Sequence, residues 1–152
     1  MDQILDMAAL TIEVLGPSHI DDVLRLWRDA GLPIRPAGRD SREALTAQMA
    51  LPYCRFIGAR NERGGLVGAV IATHEGRKGW INRLAVETGW RRGGIARRLI
   101  EACEAWLFAQ GVPIVAALVE GYNHPSQALF SACDYERDDT LVYFRKVRGP
   151  DV

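Results

Sequence analysis

The chain has 152 residues, 48% of them apolar and 25% charged, with a formal net charge of zero. That length is one domain whose core needs no staple, and the charge balance argues against non-specific binding to nucleic acid. Cys54, Cys103 and Cys133 are widely spaced, cannot all pair and form no metal-ligand pattern. A reduced, cytoplasmic setting with no metal is expected. The first residues are acidic where a secretion signal is basic, and no apolar run is long enough to span a membrane.

A single domain over 1–152 is expected, with 1–9 a loosely ordered lead-in. Leu10 to Leu15 alternates apolar and polar residues, which predicts a strand. Gly16-Pro17-Ser18 turns the chain. Ile20, Val23, Leu24 and Trp27 then mark one face of a helix ending near Gly31. After a proline-bracketed loop carrying Arg35 and Arg39, Asp40 or Ser41 caps a second helix running to about Ala50. Cys54 to Arg60 and Leu66 to His74 read as strands around a hairpin turn at Asn61 to Gly65. Gly76 to Gly79 turns into Trp80 to Val86, a third antiparallel strand. Pro113 to Val119 reads as a buried strand and Pro125 to Cys133 as a short helix. Tyr135 to Glu136 and Leu141 to Lys146 read as a closing strand pair around Asp138-Asp139. The order predicts a mixed α/β domain with a central sheet.

The stretch from Trp80 to Gln110 organises the rest. A β-prone strand leads into the turn Glu87 to Gly93. Ile95, Ala96, Leu99, Ile100, Cys103, Trp106 and Leu107 then recur at helical spacing, until Gly111 and Pro113 end the helix. Arg91-Arg92-Gly93-Gly94-Ile95-Ala96 opens that helix. Its first amide groups are free and carry partial positive charge, the glycines admit an anion close to them, and arginine supplies bidentate donors. Such a loop suits a pyrophosphate. It is neither a Gly-x-x-x-x-Gly-Lys-Ser/Thr loop nor a Gly-x-Gly-x-x-Gly loop.

Arg91, Gly94 and Ala96, spaced Arg-x-x-Gly-x-Ala after Leu84-Ala85-Val86, resemble the coenzyme A loop of the GNAT superfamily of acetyl-coenzyme A dependent N-acyltransferases. The element order resembles that family over nearly the whole chain. Asn123, Ala128 and Tyr135 fit its downstream pattern; Phe130 and Asp134 depart from it. The segment from Leu26 to Pro36 is similar to the bacterial YpeA-type branch.

The resemblance implies a mostly antiparallel sheet, flanked by helices and splayed between the strands of Leu84 and Val115. It implies that Leu84, Ala85 and Val86 hold pantetheine, and that Arg91, Arg92, Gly93, Gly94, Ile95, Ala96 and Arg97 hold the pyrophosphate. Asn123 would contact pantetheine or order the cleft, with Ser126, Leu129 and Phe130 bordering it. Read from the residues, Asn123 is equally a helix cap before His124-Pro125, and Leu84 and Val86 are equally core.

The implied activity is transfer of an acetyl group from acetyl-coenzyme A, by direct attack on the thioester, to a primary amine of a small molecule or peptide. The alternative is a non-catalytic acyl-coenzyme A sensing domain. Phe130 stands where relatives often place a tyrosine acid and cannot donate a proton; Tyr122, Tyr135, Tyr143 or water are the substitutes. Glu120 is the candidate base, and equally a solvated strand-end carboxylate. His74 and Glu75 end the third strand and are candidates to reach the acceptor side, and Arg35 and Arg39 are candidates to hold an acidic acceptor; the plainer reading of all four is solvation. The expected partners are acetyl-coenzyme A and the amine, with no nucleic acid or membrane; the chain is expected to be a monomer or a homodimer.

Overall fold

The computed structural model describes residues 9–91, 93–150 and 152; the expected lead-in, apart from Ala9, lies outside them. Strand β1 (Thr11–Val14) precedes helices α1 (Ile20–Asp29) and α2 (Arg42–Met49). Strands β2 (Cys54–Arg60), β3 (Leu66–His74) and β4 (Lys78–Val86) follow, then α3 (Ile95–Ala109), β5 (Ile114–Ala117) and α4 (His124–Ala132). The five strands lie in one sheet in sequence order, antiparallel except for the parallel pair β4–β5.

Strand alternation sends successive side chains to opposite faces of the sheet. Ile57, Ala59, Val70, Ala72 and Ile81 pack with Leu99, Ile100, Cys103 and Leu107 of α3. Phe56, Ala69, Ile71 and Ala85 pack with Ile20, Val23 and Trp27 of α1 and Leu45 of α2. Full burial of each large aliphatic side chain here contributes roughly 1.5–3 kcal/mol. The start of α3 lies close on β3. A Cβ placed on Gly68 would sit 3.0 Å from Leu99 and 3.1 Å from Ile95.

Two irregularities shape the sheet near its centre. Ala69 pairs with Ala85 but Ile71 pairs with Asn82, so Arg83 and Leu84 together oppose Val70. This is a β-bulge, and Arg83 takes the extra turn with φ 56°. The β4–β5 register also stops, at Ile81–Ala117. From Asn82 onward β4 has no paired residue on β5, so the two strands part there.

The chain departs from expectation after α3. Strand β5 is shorter than Pro113 to Val119 and is not buried: Ile114 is 52% exposed and the remaining strand residues are half-buried. It forms the edge of the sheet, with no strand beyond it among the described residues. The closing strand pair is absent too, because side chains rather than a backbone ladder close residues 137–140. Arg137 donates to Asp139 at 2.7 Å, and Asp138 accepts from the Thr140 backbone at 2.9 Å.

Candidate functional site

The turn after β4 is held from two sides. Arg25 of α1 donates to Glu87 at 3.0 Å and to the Leu66 carbonyl at 2.9 Å. Glu87 is therefore paired with α1 and is not a free base. Arg91 Nε donates to the Val86 carbonyl at 3.0 Å, so part of its guanidinium orders the loop itself. A short 3-10 turn, Thr88–Trp90, lies between these two anchors.

Gly94 is the N-cap of α3, with φ 86° and ψ 5°. Such a left-handed conformation favours glycine independently of any ligand. No side chain caps α3, and its first turn contains no acidic residue. The leading amides and the positive end of the helix dipole thus have no anionic partner within the helix. Ala96 beside them is small and half-buried, while Ile95 points into the core. Gly93 and Gly94 complete a cradle suited to a pyrophosphate. Arg92, expected to join it, lies outside the described residues.

Arg97 leaves the same turn of α3 and donates to the Ala132 carbonyl at the end of α4, at 2.8 Å. That contact ties α3 to α4 and sets a cation against the negative end of α4. Asn123 caps α4, its side chain accepting from the Ser126 backbone at 3.2 Å. The capping reading of Asn123 therefore holds, and its oxygen is already engaged. Ser126 and Leu129 are half-buried along α4. Leu84 and Val86, at the splayed end of β4, pack partly on the α3-side core, so their core reading also holds.

Phe130 is 9% exposed and packs edge-to-face on Tyr135, with ring centroids 5.1 Å apart. The two belong to one turn: Tyr135 N–H donates to the Phe130 carbonyl and Asp134 N–H to that of Ser131. This is a Schellman motif with its accompanying apolar contact. Asp134 occupies the left-handed position usually given to glycine, at φ 67°. The Tyr135 hydroxyl donates to Glu104 of α3 at 2.6 Å. Burial, the Glu104 hydrogen bond and the Glu104 charge all push its ionisation far above the ordinary tyrosine value. Tyr135 is thus a structural contact and a poor acid.

The other proton-transfer candidates sort by position. Glu120 is exposed, and its backbone carbonyl receives Asn123 N–H and the Gln127 side chain. His74 lies on the α3 side, 5.5 Å from the Trp106 ring. Glu75 accepts from the Lys78 backbone at 2.9 Å and closes the β3–β4 turn. Tyr122 and Tyr143 are largely exposed. Cys54 and Cys103 are buried, which pushes their thiols up to about 11 and about 12 and makes them poor nucleophiles.

On the α1–α2 face, next to the splayed end of β4, lies a cavity of about 440 Å³. Trp27, Arg39, Asp40, Gln48, Ile71, Asn82 and Arg83 line it. The bulge sends the consecutive residues Asn82 and Arg83 into this one space. Arg83 lies over the Trp27 ring at 4.4 Å, donates to the Pro33 carbonyl at 2.7 Å and approaches Asp40 at 4.0 Å. Burial lowers its ionisation from the ordinary arginine value; Asp40 opposes that shift and Arg39 adds to it. Buried Asp40 accepts the Arg35 backbone N–H at 2.7 Å. It shapes the loop, while Ser41 makes the α2 cap. The Trp27 indole N–H has no partner. Arg39 lines the cavity and Arg35 does not. The sequence by itself singles out neither Asn82 and Arg83 nor the cavity, because nothing in an apolar strand marks a bulge.

Among the described residues, no group of three or more histidine, cysteine or carboxylate side chains is placed to hold a metal ion. No described helix is long and apolar enough to cross a membrane.

The sequence model of the "Acetyltransferase (GNAT) family" matches residues 20–135. An acetyltransferase of Sodalis glossinidius is 29% identical over 126 residues, spanning 82% of this chain and 80% of that protein. One of Yersinia enterocolitica is 28% identical over 127 residues, spanning 83% and 81%. Among solved structures, the aminoglycoside acetyltransferase AAC(6')-Iy with the bisubstrate analogue CoA-S-monomethyl-acetylneamine has a TM-score of 0.78. Its identity is 18%, over 91% of this chain and 98% of that one. The PaiA N-acetyltransferase of Thermoplasma acidophilum with coenzyme A scores 0.77 at 16% identity, over 87% and 92%.

Proposed function

The chain belongs to the GNAT family of acetyltransferases, and from that premise we propose that it acetylates a primary amine that also carries an anionic group. The observation that carries this reading is the cavity beside the splayed end of β4. It holds two arginines, Arg39 and Arg83, against one carboxylate, Asp40. Such a site attracts a carboxylate or phosphate and repels a polycation such as an aminoglycoside. The Asn82 and Gln48 amides offer further donors.

Acetyl-coenzyme A supplies the activated acetyl group as a thioester. The residues present fit it: Gly93, Gly94, Ile95, Ala96 and Arg97 open an uncapped helix toward the pyrophosphate, with Arg91 and Arg92 adding charge. Leu84, Ala85 and Val86, on the unpaired side of β4, offer backbone groups to pantetheine. Asn123, Ser126, Leu129 and Phe130 form the opposite wall. In this reading the backbone amides near Leu84 to Val86 receive the developing negative charge on the carbonyl oxygen, and holding the two reactants together supplies several kcal/mol.

The amine nitrogen forms its bond to the acetyl carbon as the carbon–sulfur bond breaks. Glu120, acting through water, takes the amine's proton. Phe130 gives none, so the departing thiolate takes its proton from water; with a thiol pKa near about 8.5 it leaves without an acid.

The test is thiol release across an amine panel: amino acids, phosphorylated amines, polyamines and aminoglycosides. Arg39 is exposed, so Arg39→Glu should fold normally. It should raise KM for carboxylate-bearing acceptors by about tenfold or more while leaving neutral amines unaffected. A wild-type preference for polycations would overturn the acceptor assignment. Absence of thiol release with every amine, despite coenzyme binding, would favour the sensing reading.

A further inference from the structure

Arg83 combines a strained backbone with a side chain held at three points. Among the described residues, only Arg83 and Asp134 have a positive φ without being glycine, and at Arg83 it is 56°. A left-handed backbone disfavours a long side chain, and it persists only where the surroundings fix it. The surroundings of Arg83 are specific. Its guanidinium lies over the Trp27 ring at 4.4 Å, donates to the Pro33 carbonyl at 2.7 Å and stands 4.0 Å from the Asp40 carboxylate.

All three partners belong to α1 or to the loop that follows it. Trp27 is fully buried in α1 and gives a fixed platform. Residues 32–40 contain no helix or strand. They close on themselves through Asp40, whose carboxylate accepts the Arg35 N–H at 2.7 Å and whose own N–H donates to the Arg35 carbonyl at 3.1 Å. Arg83 therefore grips this loop near both ends, at Pro33 and at Asp40. Arg39, the exposed arginine of the cavity, is the neighbour of Asp40. On its other side Arg83 is the bulge residue itself, next to Leu84, where β4 has left β5.

We propose that Arg83 is a positioning residue that locks the loop of residues 32–40 onto the bulge of β4, and so fixes the acceptor relative to the thioester. This rests on the reading of the cavity as the acceptor site. Arg39 then meets the acceptor's anion, while Arg83 sets where Arg39 stands. Arginine is suited to the task because its planar guanidinium stacks on a ring by its face and donates by its edge at the same time; a lysine ammonium has no such plane. A misplacement of about 1 Å between reacting groups costs about a hundredfold in rate.

The experiment is Arg83→Lys, which keeps the charge and the backbone demand and removes the plane. Thiol release is followed below the melting range with saturating acetyl-coenzyme A, for a neutral amine and for a carboxylate-bearing one. The kcat should fall by about tenfold or more for both amines, with coenzyme A affinity in calorimetry within about twofold of wild type. Hydrogen–deuterium exchange at the Arg35 and Asp40 amides should quicken by about tenfold or more. A KM increase confined to the carboxylate-bearing amine would overturn the proposal by making Arg83 an anion contact. A lowered melting temperature with unchanged kcat would overturn it by leaving Arg83 a role in stability alone. If Arg83→Lys does not fold, Asp40→Asn replaces it with the same expectations, since it keeps an acceptor for the Arg35 N–H and removes the charge beside Arg83. Unchanged exchange in the loop would overturn the proposal even if no amine is turned over. Should the wild type prefer polycations, the anionic acceptor is lost, yet a kcat loss shared by all amines would still support the lock.

Discussion

Two adjacent residues at the end of α4 show how individual side chains take structural roles that composition does not reveal. Asp134 holds a left-handed conformation at φ 67° in a position where glycine is unstrained. Asp134→Gly relieves that strain but adds unfolded-state freedom, and the net expectation is a gain of about 0.5–1 kcal/mol, read from a denaturant melt. Tyr135 is half-buried with its hydroxyl on Glu104. Tyr135→Phe leaves the ring pair with Phe130 intact and removes only that hydrogen bond. Stability should fall by about 1 kcal/mol or somewhat more, with turnover unchanged. A drop in turnover without a drop in stability would instead return Tyr135 to the role of acid.

At the scale of the element, the start of α3 joins two demands. Gly94 must be small for its backbone as well as for any ligand, so a variant there confounds folding with binding. Ala96 separates the two. It lies in the first turn of a helix that has no acidic residue there. Ala96→Glu should therefore leave stability unchanged or raise it by about 0.3–1 kcal/mol through the helix dipole. The same charge should repel a pyrophosphate and weaken coenzyme A binding by more than about tenfold in calorimetry. Loss of both stability and binding would mean that the side chain collides with β4 or α4. Unchanged binding would remove the loop from the coenzyme site.

At the scale of the whole molecule, charge is neutral in sum but not in distribution. The loop at the start of α3 and the cavity beside β4 are both rich in arginine, and Arg39 and Arg91 are exposed. Interactions of exposed charges are screened within about 8 Å at physiological ionic strength. Coenzyme affinity should thus fall as salt rises, and the KM of an anionic acceptor should rise with it, both measurable in one titration series. A salt-independent affinity would leave the α3 amides, rather than the arginines, holding the phosphates.

Local chemistry was enough to determine much of this protein. The periodicity from Ile95 to Leu107, the stop at Gly111, the Asn61–Gly65 hairpin and the paired strands around it are each written in residues close in sequence. The expectation that the α3 start suits a phosphate likewise rests on six consecutive residues. Only the tertiary structure decided three other matters. The bulge at Arg83 arises from a register difference between two strands, and it alone brings Asn82 and Arg83 into the cavity with Trp27. His74 belongs to the Trp106 side because strand alternation, set by pairing, places it across the sheet from the cavity. The segment from Leu141 has every local mark of a strand, yet a strand exists only where another backbone receives its hydrogen bonds, and nothing in the segment itself says which backbone that is.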